Sequence, residues 1–200
     1  MSAGPLDGPA FRPTVLVGPS GVGKNTVLRQ LADAYPQVWL SVSATTRPAR
    51  PGETDGLDYF FVSDETFDHL IATDGLLEWA TVHRVARYGT PRLAVEQMMA
   101  QGRAVIMEVD LQGCRQIRQR LAGVRTVFLA PPSWSELTRR LRHRQTESAE
   151  AVTRRLATAE GELAAQAEFD RVIVNRQVAS SLAELVNFIG LGSGEPSLPS

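Results

Sequence analysis

Short apolar runs alternate along most of the chain with longer stretches in which apolar residues recur every three or four positions. The short runs predict buried strands, and the three- to four-residue period predicts amphipathic helices. The runs that predict strands are 14–17, 38–43, 59–62, 77–83, 104–109, 124–129 and 172–174. The stretches that predict helices are 24–34, a segment beginning near Ser63, 91–101, most of 133–168 and 180–189.

This alternation of strands and helices, without an internal repeat, predicts an α/β protein whose parallel sheet is covered by helices on both faces. The 200 residues are enough for one compact domain. Residues 1–12 and 191–200 are rich in Gly, Pro and small residues and lack apolar periodicity, so we predict that both ends are disordered.

The composition excludes several classes of protein. The 21 basic residues nearly balance the 22 acidic ones, so charge gives no reason to expect binding to nucleic acid or an anionic membrane. No apolar run approaches the roughly 18 residues of a membrane span, and the N-terminus lacks a signal-peptide core. Cys114 is the only cysteine, which excludes an internal disulfide and a cysteine-cluster zinc site. We predict a cytoplasmic protein, with no obligate protein partner implied.

The most specific local motif is a glycine-rich segment between the first apolar run and the first helix, Gly18-Pro19-Ser20-Gly21-Val22-Gly23-Lys24. Glycines in this context let successive backbone N–H groups surround a phosphate, and the helix N-terminus adds positive potential. Lys24 is the only lysine among 21 basic residues, and its position favours a role for a compact ammonium group. We predict a nucleoside triphosphate site in which Lys24 reaches the β- and γ-phosphates.

Asn25 follows this lysine, where the motif usually has a Ser or Thr whose hydroxyl binds Mg²⁺, and Thr26 comes next. Two interpretations are open at this point. Either the metal is held mostly by phosphates and water, so that an amide is tolerated, or the replacement impairs catalysis.

A loop rich in proline and glycine follows the second apolar run and carries Arg47 and Arg50, with Tyr59 at the start of the next run. Two guanidinium groups and a phenol suit a phosphate monoester, because arginine binds phosphate through paired hydrogen bonds. The alternative for either arginine is an ordinary solvated surface position.

Five segments, SATTRPARPGETDGLDYFFV, LLEWA, EVDLQG, VFLAPPS and RRLATAEGELA, together resemble guanylate kinase, and the resemblance extends from about residue 13 to 190. It implies a P-loop kinase core with a GMP-binding insertion and a helical lid. It also implies transfer of the γ-phosphoryl group from ATP to GMP or dGMP, with Mg²⁺ as cofactor. By position, the core is 13–42, 98–133 and 168–190, the GMP-binding region 43–97 and the lid 134–167.

The same resemblance implies roles for individual residues. The GMP-binding residues would be Arg47, Arg50, Tyr59 and Tyr88 at the phosphate, Ser43, Glu78 and Asp110 at the base, and Thr90. The ATP-binding residues would be the glycine-rich segment through Lys24, then Asn25, Thr26 and, near the adenine, Asn175. The catalytic residues would be Lys24, Arg47 and the lid arginines Arg140, Arg144 and Arg155. Asn25 and Glu108 would contact Mg²⁺ through water, and Arg139, Arg142 and Arg154 are interpreted as surface charge.

The chemistry of guanine agrees with the acidic residues in this set. A carboxylate can accept hydrogen bonds from both N1–H and the 2-amino group, whereas adenine lacks these donors and would leave a buried acceptor unpaired. Glu78 interrupts an apolar strand, where an unpaired acid is costly. Taken alone, Glu78 could equally occupy an exposed position on an edge strand.

Two departures from the family pattern concern the lid and the GMP-binding region. The segment 83–90, HRVARYGT, is one residue longer and has Arg87 in place of a tyrosine, so Arg87 is itself a candidate phosphate contact. Gln145 stands where the lid usually has glycine.

Two other functions stay open. One is a non-catalytic binding module of the same family, against which Lys24 and the lid arginines argue. The other is a kinase of the same fold that acts on a different acceptor, such as a sugar phosphate. The residues predicted to contact guanine argue against it.

Overall fold

The structure, a computed structural model, describes residues 11–82, 86–142 and 149–192. Five strands form a parallel sheet in the order β2-β7-β1-β8-β9. The strands are β1 (Thr14–Val17), β2 (Val38–Leu40), β7 (Ala104–Glu108), β8 (Arg125–Ala130) and β9 (Arg171–Val174). The helices within the described residues are α1 (Lys24–Ala34), α2 (Asp64–Ala72), α3 (Arg92–Ala100), α4 (Leu111–Arg120), α5 (Trp134–Arg142), α6 (Ala149–Ala164) and α7 (Val178–Ile189).

Helices cover both faces of this sheet, as the alternating pattern predicts. Leu16 on β1 packs in a cluster with residues of α1 and α7, while its neighbours Val15 and Val17 pack in a second cluster with residues of α3 and α4. Successive side chains of a strand point to opposite faces, so one apolar strand serves both clusters. The prediction of a parallel sheet flanked by helices is therefore confirmed.

A second sheet of four strands, in the order β4-β3-β6-β5, lies beside the predicted parallel sheet. The strands are β3 (Ala44–Thr45), β4 (Phe60–Phe61), β5 (Leu76–Val82) and β6 (Ala86–Pro91). Strand β6 is antiparallel to both β3 and β5, whereas β3 and β4 are parallel. The sequence did not indicate β6, because its arginine, tyrosine and glycine interrupt any apolar alternation.

Only the first half of the second apolar run, predicted as one strand over 38–43, forms a strand. Strand β2 ends at Leu40, and the chain then crosses over to begin β3 at Ala44. Residues 41–43 therefore connect the two sheets. The second sheet lies within the predicted GMP-binding region, 43–97, although the exact boundaries of that region stay a prediction.

The packed core includes two residues from segments that the sequence predicts to be disordered. Phe11 and Leu191 pack against the cluster formed by α1 and α7, although the sequence placed both in disordered ends. Residues 1–10, 193–200 and, within the predicted lid, 143–148 lie outside the described residues. Within the described ranges, no helix is long and apolar enough to cross a membrane.

Candidate active site

The glycine-rich segment leaves the carboxyl end of β1 and enters α1 through two glycines that no other residue could replace without strain. Gly18 passes so close to the neighbouring strand that a Cβ there would lie 2.3 Å from the Leu129 carbonyl oxygen. Gly23 has a φ of +101°, in the left-handed region, directly before Lys24 begins the helix. The loop therefore has the strand–turn–helix context that a phosphate-binding loop requires.

The ammonium group of Lys24 lies over this loop. Its Nζ donates to the Gly18 carbonyl oxygen at 2.6 Å and is 3.7 Å from Oε1 of Glu108. Burial raises the pKa of Glu108, and the charge of Lys24 opposes that rise. The lysine thus bridges the loop and the carboxyl end of β7, the two places where the sequence predicts phosphate and metal contacts.

A cavity of about 690 Å³ opens beside Lys24. The phosphate loop, the carboxyl end of β7 and one face of α6 line it together. The predicted residues that it brings together are Gly18, Ser20, Gly21, Gly23, Lys24, Asn25, Thr26, Glu108, Asp110 and Arg155. It is large enough for the phosphates of a nucleotide, in agreement with the prediction of a triphosphate site.

Arg154, Thr158 and Glu162 line the same cavity, although sequence reasoning gave none of them a role. They follow one another at intervals of four residues and so share a face of α6. That spacing was visible in the sequence, but nothing in it indicates which face of the helix meets the loop. Arg154 is exposed, in agreement with its interpretation as surface charge, and it also borders the cavity.

The oxygen donors at the cavity fit Mg²⁺ only as supplementary contacts. Asn25, Glu108 and Asp110 contribute an amide and two carboxylates to the lining, and oxygen is the ligand atom that Mg²⁺ prefers. Among the described residues, no group of three or more His, Cys, Asp or Glu side chains could hold a metal. The residues therefore fit an ion held chiefly by phosphate oxygens and water.

Asn175 supports the phosphate loop from beneath. It is buried; its amide nitrogen donates to the Val22 carbonyl oxygen at 2.8 Å, and its amide oxygen accepts from the Ser181 hydroxyl at 3.0 Å. Sequence reasoning placed Asn175 near the adenine and missed Ser181. The structure shows the Asn175 amide engaged with the protein itself, next to a cavity of about 310 Å³.

Arg140, predicted in the lid, contacts the same loop carbonyl. Its Nη1 donates to the Val22 oxygen at 3.2 Å and its Nε donates to Glu136 at 2.8 Å. Arg139 is exposed and also pairs with Glu136, which lowers the pKa of that carboxyl to about 2. Arg144 and Gln145 lie outside the described residues.

Three of the predicted GMP-phosphate residues gather on the second sheet. The guanidinium of Arg47 lies 5.4 Å from the centre of the Tyr59 ring, and its Nε donates to the Tyr88 hydroxyl at 3.2 Å. The rings of Tyr59 and Tyr88 meet edge to face at 5.8 Å. Arg50 is exposed in the loop that follows Arg47.

Glu53, which sequence reasoning missed, organises both arginines of this loop. Its two carboxylate oxygens accept from Arg47 at 2.8 and 2.9 Å, and one of them also accepts from the backbone N–H of Arg50 at 2.7 Å. The paired guanidinium lowers the pKa of Glu53. This fork-to-fork pair is a strong, geometrically specific contact, so it fixes the Arg47 guanidinium relative to the loop that carries Arg50.

Arg87 turns away from this cluster. Its guanidinium pairs with Asp64 and Asp68 on α2 and lies 4.8 Å from the centre of the Phe67 ring. The hypothesis that Arg87 contacts phosphate is therefore wrong, because α2 presents two acids to it. The preceding residues, 83–85, lie outside the described ranges.

The predicted guanine residues centre on a buried acid. Glu78 is only 7% exposed, and its Oε1 accepts from the Thr90 hydroxyl at 2.8 Å across the β5–β6 pair. Burial raises the pKa of Glu78 to about 7. The alternative of an exposed position for Glu78 is therefore wrong, although β5 is indeed an edge strand.

The other two predicted guanine residues lie where a helix and a strand begin: Asp110 at the N-terminus of α4 and Ser43 directly before β3. Asp110 caps α4, and its Oδ1 accepts from the Gly113 N–H at 2.7 Å. Ser43 comes directly before β3, and its carbonyl oxygen accepts from the Phe60 N–H at 2.9 Å. Electrostatic repulsion from Asp110 contributes to the raised pKa of Glu78, which indicates that the two carboxyls lie near each other.

Comparison with known proteins agrees with this geometry. The sequence pattern of the family described as guanylate kinase matches residues 10–190. A guanylate kinase of Streptomyces kasugaensis is 54% identical over 189 residues, which cover 94% of this chain and 92% of that protein. One of Streptomyces coelicolor is 56% identical over 180 residues, covering 89% and 91%. The crystal structure of guanylate kinase from Anaplasma phagocytophilum is similar at a TM-score of 0.71 and 31% identity, covering 90% of this chain and 85% of that one. This chain belongs to the guanylate kinase family.

Proposed function

We propose that this chain, an ATP:GMP phosphotransferase by family, transfers the γ-phosphoryl group of ATP to GMP or dGMP and releases ADP with GDP or dGDP. The choice of acceptor depends above all on the buried carboxylate of Glu78, which faces Thr90 across β5 and β6. GMP offers N1–H and a 2-amino group as donors to such a carboxylate, whereas AMP would leave it unpaired.

The phosphate loop would hold ATP. Its backbone N–H groups and the N-terminus of α1 supply positive potential, and Lys24 would leave the Gly18 carbonyl to meet the β- and γ-phosphates. Arg155 lines the same cavity from α6, and Arg140 contacts the loop from α5. We propose that these arginines, with Arg144, stabilise charge on the transferring phosphoryl group.

The second sheet would hold GMP. Arg47, Tyr59 and Tyr88 form the cluster suited to its phosphate, with Arg50 joining from the loop. We propose that 43–97 acts as the GMP-binding region and 134–167 as the lid. Closing them over the cavity would exclude water, so that the phosphoryl group reaches GMP rather than being hydrolysed.

The acceptor is a phosphate that is ionised at neutral pH, so the transfer needs no general base. Catalysis would come from aligning the two phosphates and neutralising their charge. Asn25 and Glu108 would contact Mg²⁺ through water, and the ion, bound with ATP, would neutralise the β- and γ-phosphates. Since the residues fit an ion held mostly by phosphate and water, we propose that Asn25 is compatible with turnover.

Relatives at more than half identity, 54% and 56%, are guanylate kinases, which argues against both alternative functions left open by the sequence. ATP and GMP as substrates also support a cytoplasmic location.

Product analysis tests the proposal. The protein is incubated with Mg²⁺-ATP and GMP, and the nucleotides are separated by chromatography; we expect ADP and GDP in equal amounts. Lys24→Ala should lose nearly all turnover and retain GMP binding in calorimetry. GMP binding without any GDP formation by the unmodified protein would instead favour the non-catalytic module.

A further inference from the structure

Helix α4 presents one face to the edge strand of the second sheet. Gly113, Gln116 and Arg120 are spaced three and four residues apart and therefore share this face. Each lies against a different residue of β5, and together their contacts span Leu76 to Trp79. The helix thus covers the edge that β6 leaves unpaired.

Gln116 acts at this edge as a strand residue would. Its amide nitrogen donates to the Trp79 carbonyl oxygen at 3.0 Å, and its amide oxygen accepts from the Trp79 N–H at 3.2 Å. Both backbone groups of one edge residue are therefore satisfied by one side chain. Arg120 adds a hydrogen bond to the Leu76 carbonyl oxygen at 3.0 Å. These bonds fix how far β5 can slide along α4.

The same helix carries one of the two carboxylates proposed to read guanine and touches the other. Asp110 is its N-cap, anchored on the Gly113 N–H. At Gly113 an added Cβ would lie 2.9 Å from Oε2 of Glu78, so the glycine makes room for that carboxylate against the first turn. Any shift of β5 relative to α4 therefore changes the separation of the two carboxylates.

We propose that Gln116 is a positioning residue for base selectivity, because its paired hydrogen bonds to Trp79 hold Glu78 at a fixed separation from Asp110. The inference rests on the proposed function, in which these two acids contact guanine. Hydrogen bonds to a base tolerate displacements of only a few tenths of an ångström before they weaken. Loss of the pairing should therefore affect recognition of the base more than it affects phosphoryl transfer.

The test compares acceptors in the Gln116→Met variant, which keeps side-chain length and helix propensity while removing the amide. Gln119→Met is the matched control, since Gln119 is an exposed glutamine on the same helix. The acceptors are GMP and inosine monophosphate, which has N1–H but lacks the 2-amino group. We expect the ratio of kcat/KM for GMP to that for inosine monophosphate to fall about tenfold in Gln116→Met, with the KM for ATP unchanged.

A ratio equal to that of the Gln119→Met control would overturn the inference and leave the proposed function intact. An equal loss of kcat/KM for both acceptors, together with a lower melting temperature, would also overturn the inference. That result would indicate that Gln116 only stabilises the fold. Failure of the unmodified protein to prefer GMP would instead contradict the proposed function. Gln116→Asn, which keeps an amide but shortens its reach, provides the same comparison if Gln116→Met does not fold.

Discussion

At the scale of single residues, Glu78 links the stability of the protein to its proposed choice of base. Burial raises its pKa from 4.5 to about 7, so the folded protein keeps a proton that the unfolded chain has already lost between these pH values. The contribution of Glu78 to the free energy of unfolding is therefore fully present below pH 4.5 and is lost as the pH rises to about 7. Above pH 7 the folded protein holds a buried negative charge at Glu78. Guanine binding would offset the cost of burying that charge.

Glu78→Gln should raise the free energy of unfolding at pH 8 by up to roughly 3 kcal/mol. The rise in the Glu78 pKa from 4.5 to about 7 corresponds to that energy, and glutamine carries no charge that burial could penalise. Denaturant unfolding at pH 8 and pH 5 measures the change, which should be several-fold smaller at the lower pH. The same variant should lose most of its preference for GMP over AMP. An equal change in stability at both pH values would contradict the assigned cause.

Glu53→Gln should raise the KM for GMP several-fold, since Arg47 loses the ionic partner that holds its guanidinium and the Arg50 backbone in place. Glu65→Gln, an exposed acid on α2, is the charge-matched control. Binding of guanosine, which lacks the phosphate, should be unchanged in calorimetry. A lower KM for GMP would show that Glu53 competes with the phosphate rather than positioning its ligand.

At the scale of elements, the sequence predicts the strands that are buried on both faces. Strands β1, β7 and β8 are covered on both faces and appear as uninterrupted apolar runs, and the phosphate loop follows β1 with its glycines in the expected places. Strand β4 lies within the predicted run 59–62. Strand β3 has only two residues and β6 is largely polar, so no periodicity could reveal these two strands. Their existence depends on pairing between distant segments.

The support beneath the phosphate loop gives a prediction about α7. Ser181→Ala removes the hydroxyl that orients the Asn175 amide toward the Val22 carbonyl, so the loop should be less well ordered. We expect the KM for ATP to rise several-fold while the KM for GMP stays the same. Ser180→Ala, at an exposed position on the same helix, is the control. Equal changes in both KM values would contradict a role confined to the loop.

At the scale of the whole molecule, the candidate site is assembled from three parts of the chain that are far apart in sequence. The phosphate loop, β7 and α6 meet at one cavity, and α4 connects that region to the second sheet. The chemistry of their own segments predicted Lys24 and Arg47, whereas the resemblance to guanylate kinase implied the role of Glu78. Glu53, Gln116 and Ser181 could not be predicted, since their contacts with other side chains or distant backbone arise only on folding.

Arg155→Ala should lower kcat by about a hundredfold or more with little change in the KM for GMP, because its charge is proposed to act on the transferring phosphoryl group. Steady-state kinetics with saturating ATP measures both constants. Arg171→Ala, an exposed arginine on β9, is the control for loss of one positive charge. An unchanged kcat would remove Arg155 from the catalytic set.

The most direct test of the proposed function is the steady-state rate of ADP release from Mg²⁺-ATP with five acceptors, GMP, dGMP, AMP, CMP and UMP. We predict turnover with GMP and dGMP, and kcat/KM at least about a hundredfold lower with the other three, because a buried acceptor left unpaired is costly. Comparable turnover with AMP, or none with GMP, would contradict it.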